Sequence, residues 1–252
     1  MSATATTIAR SSRVHVTAGR TFYAAMSGLL LLIVLMGFSR SLYLRPFFDT
    51  TPLVPSVLLH GVVLTTWFVA AFVQSLLVTS RRLDVHRRLG WVVVGVGVAV
   101  LVMSTLVTAN FLARRQALGT NIEARIANFS LIVWGDIAAL FAFICFFGAA
   151  IALRRRSEAH KRLMLLASMS ILEPAMFRIW GWAIFRGVDR HVASLCVLLA
   201  LVLAMGAFDV LSRRRVHQVT LVGGALLIGT RAVALYLVAN SGAGLAFIRS
   251  LF

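Results

Sequence analysis

An all-α, polytopic bundle of about seven transmembrane helices is the fold class that this sequence predicts. Three observations carry that expectation: the composition, the length of the apolar runs, and the placement of the arginines between them.

Apolar residues make up 60% of the 252-residue chain and charged residues 13%, with a mean hydropathy of +0.92. A soluble domain of this size needs more charge than that to clothe its surface, so lipid is the expected solvent for most of the chain. Four prolines and 18 glycines exclude collagen-like and low-complexity readings. A net charge of +17 would ordinarily point to nucleic acid. Here the cations stand in short clusters between apolar runs, where membrane topology already requires them, so no nucleic-acid partner is expected.

Seven apolar runs can each cross a hydrocarbon core of about 30 Å as a helix. They are Phe22–Leu42, Leu53–Val78, Leu89–Leu112, Ile126–Leu153, Leu163–Phe185, Val192–Leu211 and Val219–Val238. The runs are continuous rather than alternating and far exceed the roughly 9–11 residues of a barrel strand. The first run continues through Phe38 into Leu42 and Tyr43 with no small-residue cleavage site after it, which predicts a retained span and not a signal peptide. One end of the bundle collects Arg10, Arg13 and Arg20, then the clusters Arg81–Arg88, Arg154–Arg162 and Arg213–Arg215. The opposite end has the sparser Arg40, Arg45, Arg114, Arg115, Arg125, Arg186, Arg190 and Arg249. The richer end should be cytoplasmic. The expected protein is therefore a multi-pass protein of a bacterial inner membrane. It has a basic cytoplasmic tail (1–21), one seven-helix domain (22–238) and a short outer interfacial tail (239–252) containing Phe247, Leu251 and Phe252. Cys145 and Cys196 fall at different depths, so they read as packing residues, not a disulfide.

Two loops at the basic end share the pattern R-R-x-[DE]-x-H-[RK]-R-L: Arg81 to Leu89 and Arg155 to Leu163. A partial third copy runs from Arg213 to His217. The repetition predicts three helical hairpins after a first added helix. Asp84 and Ser157 are expected to cap the third and fifth helices, with Glu158 favourable in a first turn. Two readings of the cations stand side by side. Arg81, Arg82, Arg87, Arg88, Arg155, Arg156, Lys161 and Arg162 set topology and meet anionic lipid headgroups; or they join His86 and His160 in gripping an anion such as a phosphate or haem propionate. Gly90, Gly95 and Gly97 continue a span, so they predict close helix approach, not a nucleotide loop.

Ionisable side chains within the spans need a reason, because each costs about 2.5–3.5 kcal/mol near the bilayer centre. Asp136, Glu173 and Arg231 lie within about 5 Å of the middle of their spans, with Arg178 roughly 6 Å and His60 roughly 8 Å towards the outside, at helical rise. Glu173 and Arg178 are separated by about 140° around an ideal helix, so Arg231 is the expected partner of Asp136 or Glu173. Pro174 removes a backbone donor and frees the carbonyl of Ser170, which predicts a kink there. His60, Asp136, Glu173, Arg178 and Arg231 thus outline either an outward-opening ligand pocket or a structural ion-pair network. Trp67, Trp134, Trp180 and Trp182 are available around it. Asp209 and Gln74 are expected only to reach water or backbone.

Haem b or quinone is a further possibility, with His60 involved. His60 and His191 share the outer half, but His191 stands at the very start of its span and makes a poor second haem ligand. Metal-ligand spacing is absent, and no nucleophile–base–orienter set is visible, so hydrolase chemistry finds no support.

Phe22-Tyr23, Gly37-Phe38, the stretch from His60 to Gln74, H-R-R-L-G at His86–Gly90 and H-K-R-L-M-L-L-A at His160–Ala167 resemble a bacterial family of uncharacterised seven-helix inner-membrane proteins. That resemblance implies the fold and the membrane and supplies no activity. The histidine-containing pieces are also faintly similar to membrane proteins of haem–copper oxidase assembly. Three functions remain open. The first is binding or transport of a small amphipathic or anionic ligand, or proton relay. The second is a haem or quinone redox protein, and the third a non-catalytic subunit or assembly factor bound to a membrane-protein partner.

Overall fold

The computed structural model describes residues 2–48 and 53–252, with side chains from Gly19 onward. Among these residues the chain is entirely helical. Six helices are long and apolar enough to cross a membrane: α1 (Ser2–Phe38), α2 (Pro55–Thr79), α3 (Leu83–Ala109), α5 (Ile126–Ala152), α8 (Arg190–Arg213) and α9 (Gln218–Ala232, continued by a π-turn over Val233–Val238). Shorter pieces complete the chain: α4 (Phe111–Ala117), α6 (Ser157–Ser170), α7 (Glu173–Ile179) and α10 (Gly242–Arg249).

The fifth expected span is a broken helix. α6 stops at Ser170, Ile171 and Leu172 cross the gap, and α7 restarts at Glu173. Pro174 explains the break, because its ring would strike the carbonyl four residues back and it has no N–H to give. In the first turn of α7 that missing donor is harmless.

α5 is the central post. Its small and aromatic residues Phe129, Ala138, Ala142, Phe143, Phe146 and Ala150 are buried, and α3, α6, α9 and α10 pack around it. α1 lies against α2, α6, α7 and α8. The outward faces of α1, α2, α3, α8 and α9 present Leu32, Leu59, Val92, Leu203 and Leu221, which is the expected exterior of a bundle solvated by lipid. Consecutive pairs α2/α3, α5/α6 and α8/α9 pack together across short turns at the basic end. The cap expectation fails in both copies of the loop motif. α3 and α6 have Arg82 and Arg156 at their N-caps with no side-chain capping bond, while Asp84 and Ser157 fall inside the first turn. There Asp84 acts only on the helix dipole.

Close approach is real at one of the three motif glycines. A Cβ on Gly97 would collide with the Phe147 ring of α5, whereas Gly90 and Gly95 face no described atom within 4 Å. A crossing with less room to give lies elsewhere, where Gly37 of α1 rests on the backbone of Ala175 in α7. Gly37→Ala and Gly97→Ala should each destabilise the purified protein by about 1–3 kcal/mol, while Gly95→Ala should be neutral or stabilising by up to about 1 kcal/mol. Thermal unfolding in one detergent checks all three.

Candidate functional site

The gap between α6 and α7 leaves backbone groups that water cannot satisfy inside a bundle. Arg231, from the last turn of α9, occupies that position. Its Nη1 donates to the Gly135 carbonyl of α5 at 2.6 Å and its Nη2 to the Ser170 carbonyl at the end of α6 at 3.3 Å. It also forms an ion pair with Glu173 at the start of α7. One guanidinium therefore ties α5, α6, α7 and α9 together, with Arg231 only 3% exposed and Glu173 8%. The carboxylate at the first turn of α7 also meets the positive end of that short helix.

His191, in the first turn of α8, is the next neighbour of Glu173: its Nδ1 lies 3.5 Å from the carboxylate but makes no hydrogen bond to a described group. In sequence His191 stands at the edge of its span, a poor position for a second haem ligand. The broken helix changes that geometry: α7 ends at Ile179, and the chain turns through 180–189 so that the start of α8 comes back beside α7. His191 also packs on the Phe177 ring.

The other expected members are dispersed. Asp136, next to Gly135, accepts from Thr108 Oγ1 of α3 at 3.3 Å and shares the electrostatic field of Arg231, Glu173 and Arg178. Arg178 lies on the bundle periphery, where it donates to the Pro174 carbonyl at 2.8 Å and covers the Phe38 ring. His60 is half-buried, and its Nδ1 is enclosed without a hydrogen-bond partner among the described residues. Its neighbouring charges are Arg178 and Arg114 rather than the acids. Of the five, Glu173 and Arg231 are in direct contact.

The tryptophans divide likewise. Trp67 is fully buried, donates to Ser168 Oγ of α6 at 3.1 Å, and packs edge-on against Phe143 and Phe147. Trp134 packs on Phe247 of α10, which lies along α5 and is tied there by the Arg249–Glu123 ion pair. Trp180 and Trp182 line an open cavity of about 520 Å³ with Arg40, Phe185, Arg186 and Arg190. None of the five expected pocket residues lines that cavity.

The basic end holds a second buried network that the sequence reading did not assemble. Arg162, assigned to lipid headgroups, is fully buried and paired with Asp209 of α8. Asp209 also accepts from Thr220 Oγ1 at 2.6 Å and the His217 amide at 3.1 Å, so it is no water-reaching residue. Arg162 donates to Glu158 at 2.7 Å, and Glu158 also takes Lys161 and Arg213. The cue in the sequence is the position of Arg162, last in its cluster and therefore deepest. The motif histidines act locally. His160 Nδ1 reaches the Ala150 carbonyl at 2.9 Å. His86 meets Gln74, whose amide, turned to donate, also accepts from the Gly90 amide at 3.1 Å. Each of these two histidines fastens the start of its helix to the preceding one.

Breaking the core pair should cost more than removing it. Arg231→Ala leaves Glu173 buried and unpaired, for about 3–5 kcal/mol; adding Glu173→Gln should recover part of that loss in detergent unfolding. A double variant no better than the single would show that the pair is not the coupling.

At the basic end, burial alone would push the Glu158 carboxyl up, but hydrogen bonds from Lys161 and Arg162 outweigh it and hold the group at about 2 against the usual 4.5. A carboxyl depressed on folding contributes stability above its unfolded value and loses it as pH falls through the folded one. Unfolding temperature should therefore drop between pH 4.5 and about 2, and less steeply in Glu158→Gln. Comparisons with family models, curated proteins and solved structures returned no match, so what this site does is argued from its geometry.

Proposed function

We propose that this chain is a multi-pass protein of the bacterial inner membrane that takes up or transports a small amphipathic or anionic ligand and relays protons at the α6–α7 break. The observation that carries this reading is the Glu173 carboxylate, which stands between a fixed cation, Arg231, and a titratable base, His191. A carboxylate held by an arginine alone is a structural pair. One that also faces an imidazole has beside it a side chain able to accept and return a proton. Helices broken at mid-membrane, with charges at the half-helix ends, are the usual scaffold of such sites. Asp136 supplies a further acid in the same field.

The N-terminus-inside orientation and the seventh crossing, made by α6 and α7 together, belong to this proposal. The turns at the basic end support it: Arg81 and Arg214 occupy left-handed backbone conformations, with φ of 60° and 61°, where glycine is the unstrained choice. A cation at such a position favours contact with anionic headgroups over an easy turn.

Proteoliposomes enclosing a pH-sensitive dye test the proton reading. Under an imposed potential the wild type should acidify the lumen; His191→Gln should lose most of that rate while keeping the wild-type unfolding temperature to within a few degrees, and Glu173→Gln should lose it too but unfold at lower temperature, because Arg231 is left buried without its acid. Equal rates in all three would overturn it.

A second reading, quinone binding, draws on one observation: the enclosed His60 Nδ1 has no described partner, and a quinone carbonyl could take a proton-bearing Nδ1. A bis-histidine haem is less well supported, since His191 is turned to Glu173. Organic extraction and an absorption spectrum of the purified protein separate these. A quinone in the extract that is lost in His60→Ala favours the redox reading.

A further inference from the structure

The groove beside the core site has a composition that the proton reading does not use. It lies where the π-turn at the end of α1 meets the loop from α7 to α8. Three arginines line it, Arg40, Arg186 and Arg190, and no carboxylate does. None of the three forms an ion pair among the described residues; Asp189, the acid nearest in sequence to Arg186 and Arg190, spends its side chain capping α8 through the His191 and Val192 amides. Aromatic rings hold the cations in place. The Arg40 guanidinium stands 5.1 Å from the Trp182 ring and 5.4 Å from Phe48, and that of Arg190 stands 5.3 Å from Phe177. Trp180 is anchored by a 3.1 Å bond to Ser194 and packs edge-on against Phe185.

Three exposed guanidiniums on one wall, with no carboxylate among the described lining residues, are complementary to an anion. Arginine forks match phosphate oxygens in particular. Indole and phenyl rings on the same wall belong at the boundary between headgroup and acyl chain. An amphiphile satisfies both walls at once, with its anionic head on the guanidiniums and its chain along Trp182, Phe185 and Ile184, the last 78% exposed on the bundle surface.

We propose that this groove binds a phosphate-bearing amphiphile, such as the headgroup of an anionic lipid, at the end of the bundle opposite the basic loops. Arg190 and His191 are consecutive, so an anion on Arg190 sits one residue from the imidazole that faces Glu173. This deepens the preceding reading by naming the ligand class that the proton site would serve. It rests on that reading only for the coupling, because binding and proton flux are measured separately.

The test uses the full chain in phosphatidylcholine nanodiscs and follows tryptophan fluorescence. Two probes are titrated in turn: a short-chain phosphatidylglycerol and inorganic phosphate. A saturable change is expected, absent in Trp182→Phe. Each of Arg186→Gln and Arg190→Gln should weaken binding about fivefold, the fold-change equivalent to one surface-charge contact. Arg186 is exposed and makes no described side-chain contact, so its variant should keep the wild-type unfolding temperature. Arg81→Gln, at the other end, should leave the affinity unchanged. Saturation by both probes assigns the site to the phosphate group itself; saturation by the lipid alone assigns it to the headgroup with its chain. If neither probe saturates, or the arginine variants bind as the wild type does, the proposal is overturned. A groove that binds lipid in a protein that moves no protons would sink the proton reading and leave this one standing.

Discussion

Arg231 and the break between α6 and α7 depend on each other. An arginine near the bilayer centre is costly by about 2.5–3.5 kcal/mol, and a helix end without water leaves carbonyls that cannot go unbonded. Each defect supplies what the other lacks. The guanidinium satisfies the Ser170 carbonyl, the Gly135 carbonyl and the Glu173 carboxylate, and in doing so joins four helices at one point. The close crossing of Gly37 on Ala175 follows from the same break, because only a displaced α7 can bring its backbone onto α1.

From that joint the two ends of the bundle diverge. Towards the basic end, Trp67, Phe143 and Phe147 fill the interior, and below them Arg162, Asp209 and Thr220 fasten α6, α8 and α9. Glu158, Lys161, Arg162, Asp209 and Arg213 are all joined in ion pairs there. Towards the other end, α7 gives way to a loop and an open groove whose arginines are held by rings instead of acids. His191 stands at that end with its ring 3.5 Å from the Glu173 carboxylate, which is the physical basis for reading Glu173 as something more than a packing pair.

Much of the bundle was legible in the chain itself. Apolar runs long enough to span lipid gave α1, α2, α3, α5, α8 and α9, and Pro174 marked where the fifth run would fail. The pairing of Arg231 with an acid followed from depth and from the angle of about 140° that separates Glu173 from Arg178 on one helix. Position along the chain also misled. It set His191 aside as a haem ligand at the edge of its span, and it left Arg162 with the loop cations at the headgroups although that residue turns inward. Both errors share a cause: rise along an ideal helix locates a residue along the membrane normal but says nothing about azimuth, or about a helix that breaks.

The sequence by itself determined the membrane class, the helical elements, the basic end and the need for intramembrane charge pairing, because these follow from hydropathy, length and the cost of an unpaired ion. Only the tertiary structure decided which acid Arg231 takes, that His191 joins it, that Asp209 and Arg162 lock the basic end, and that Arg40, Arg186 and Arg190 converge. Those facts depend on which helix faces cross. In an apolar sequence that choice is settled by packing geometry and not by residue type, since lipid-facing and helix-facing surfaces are composed alike.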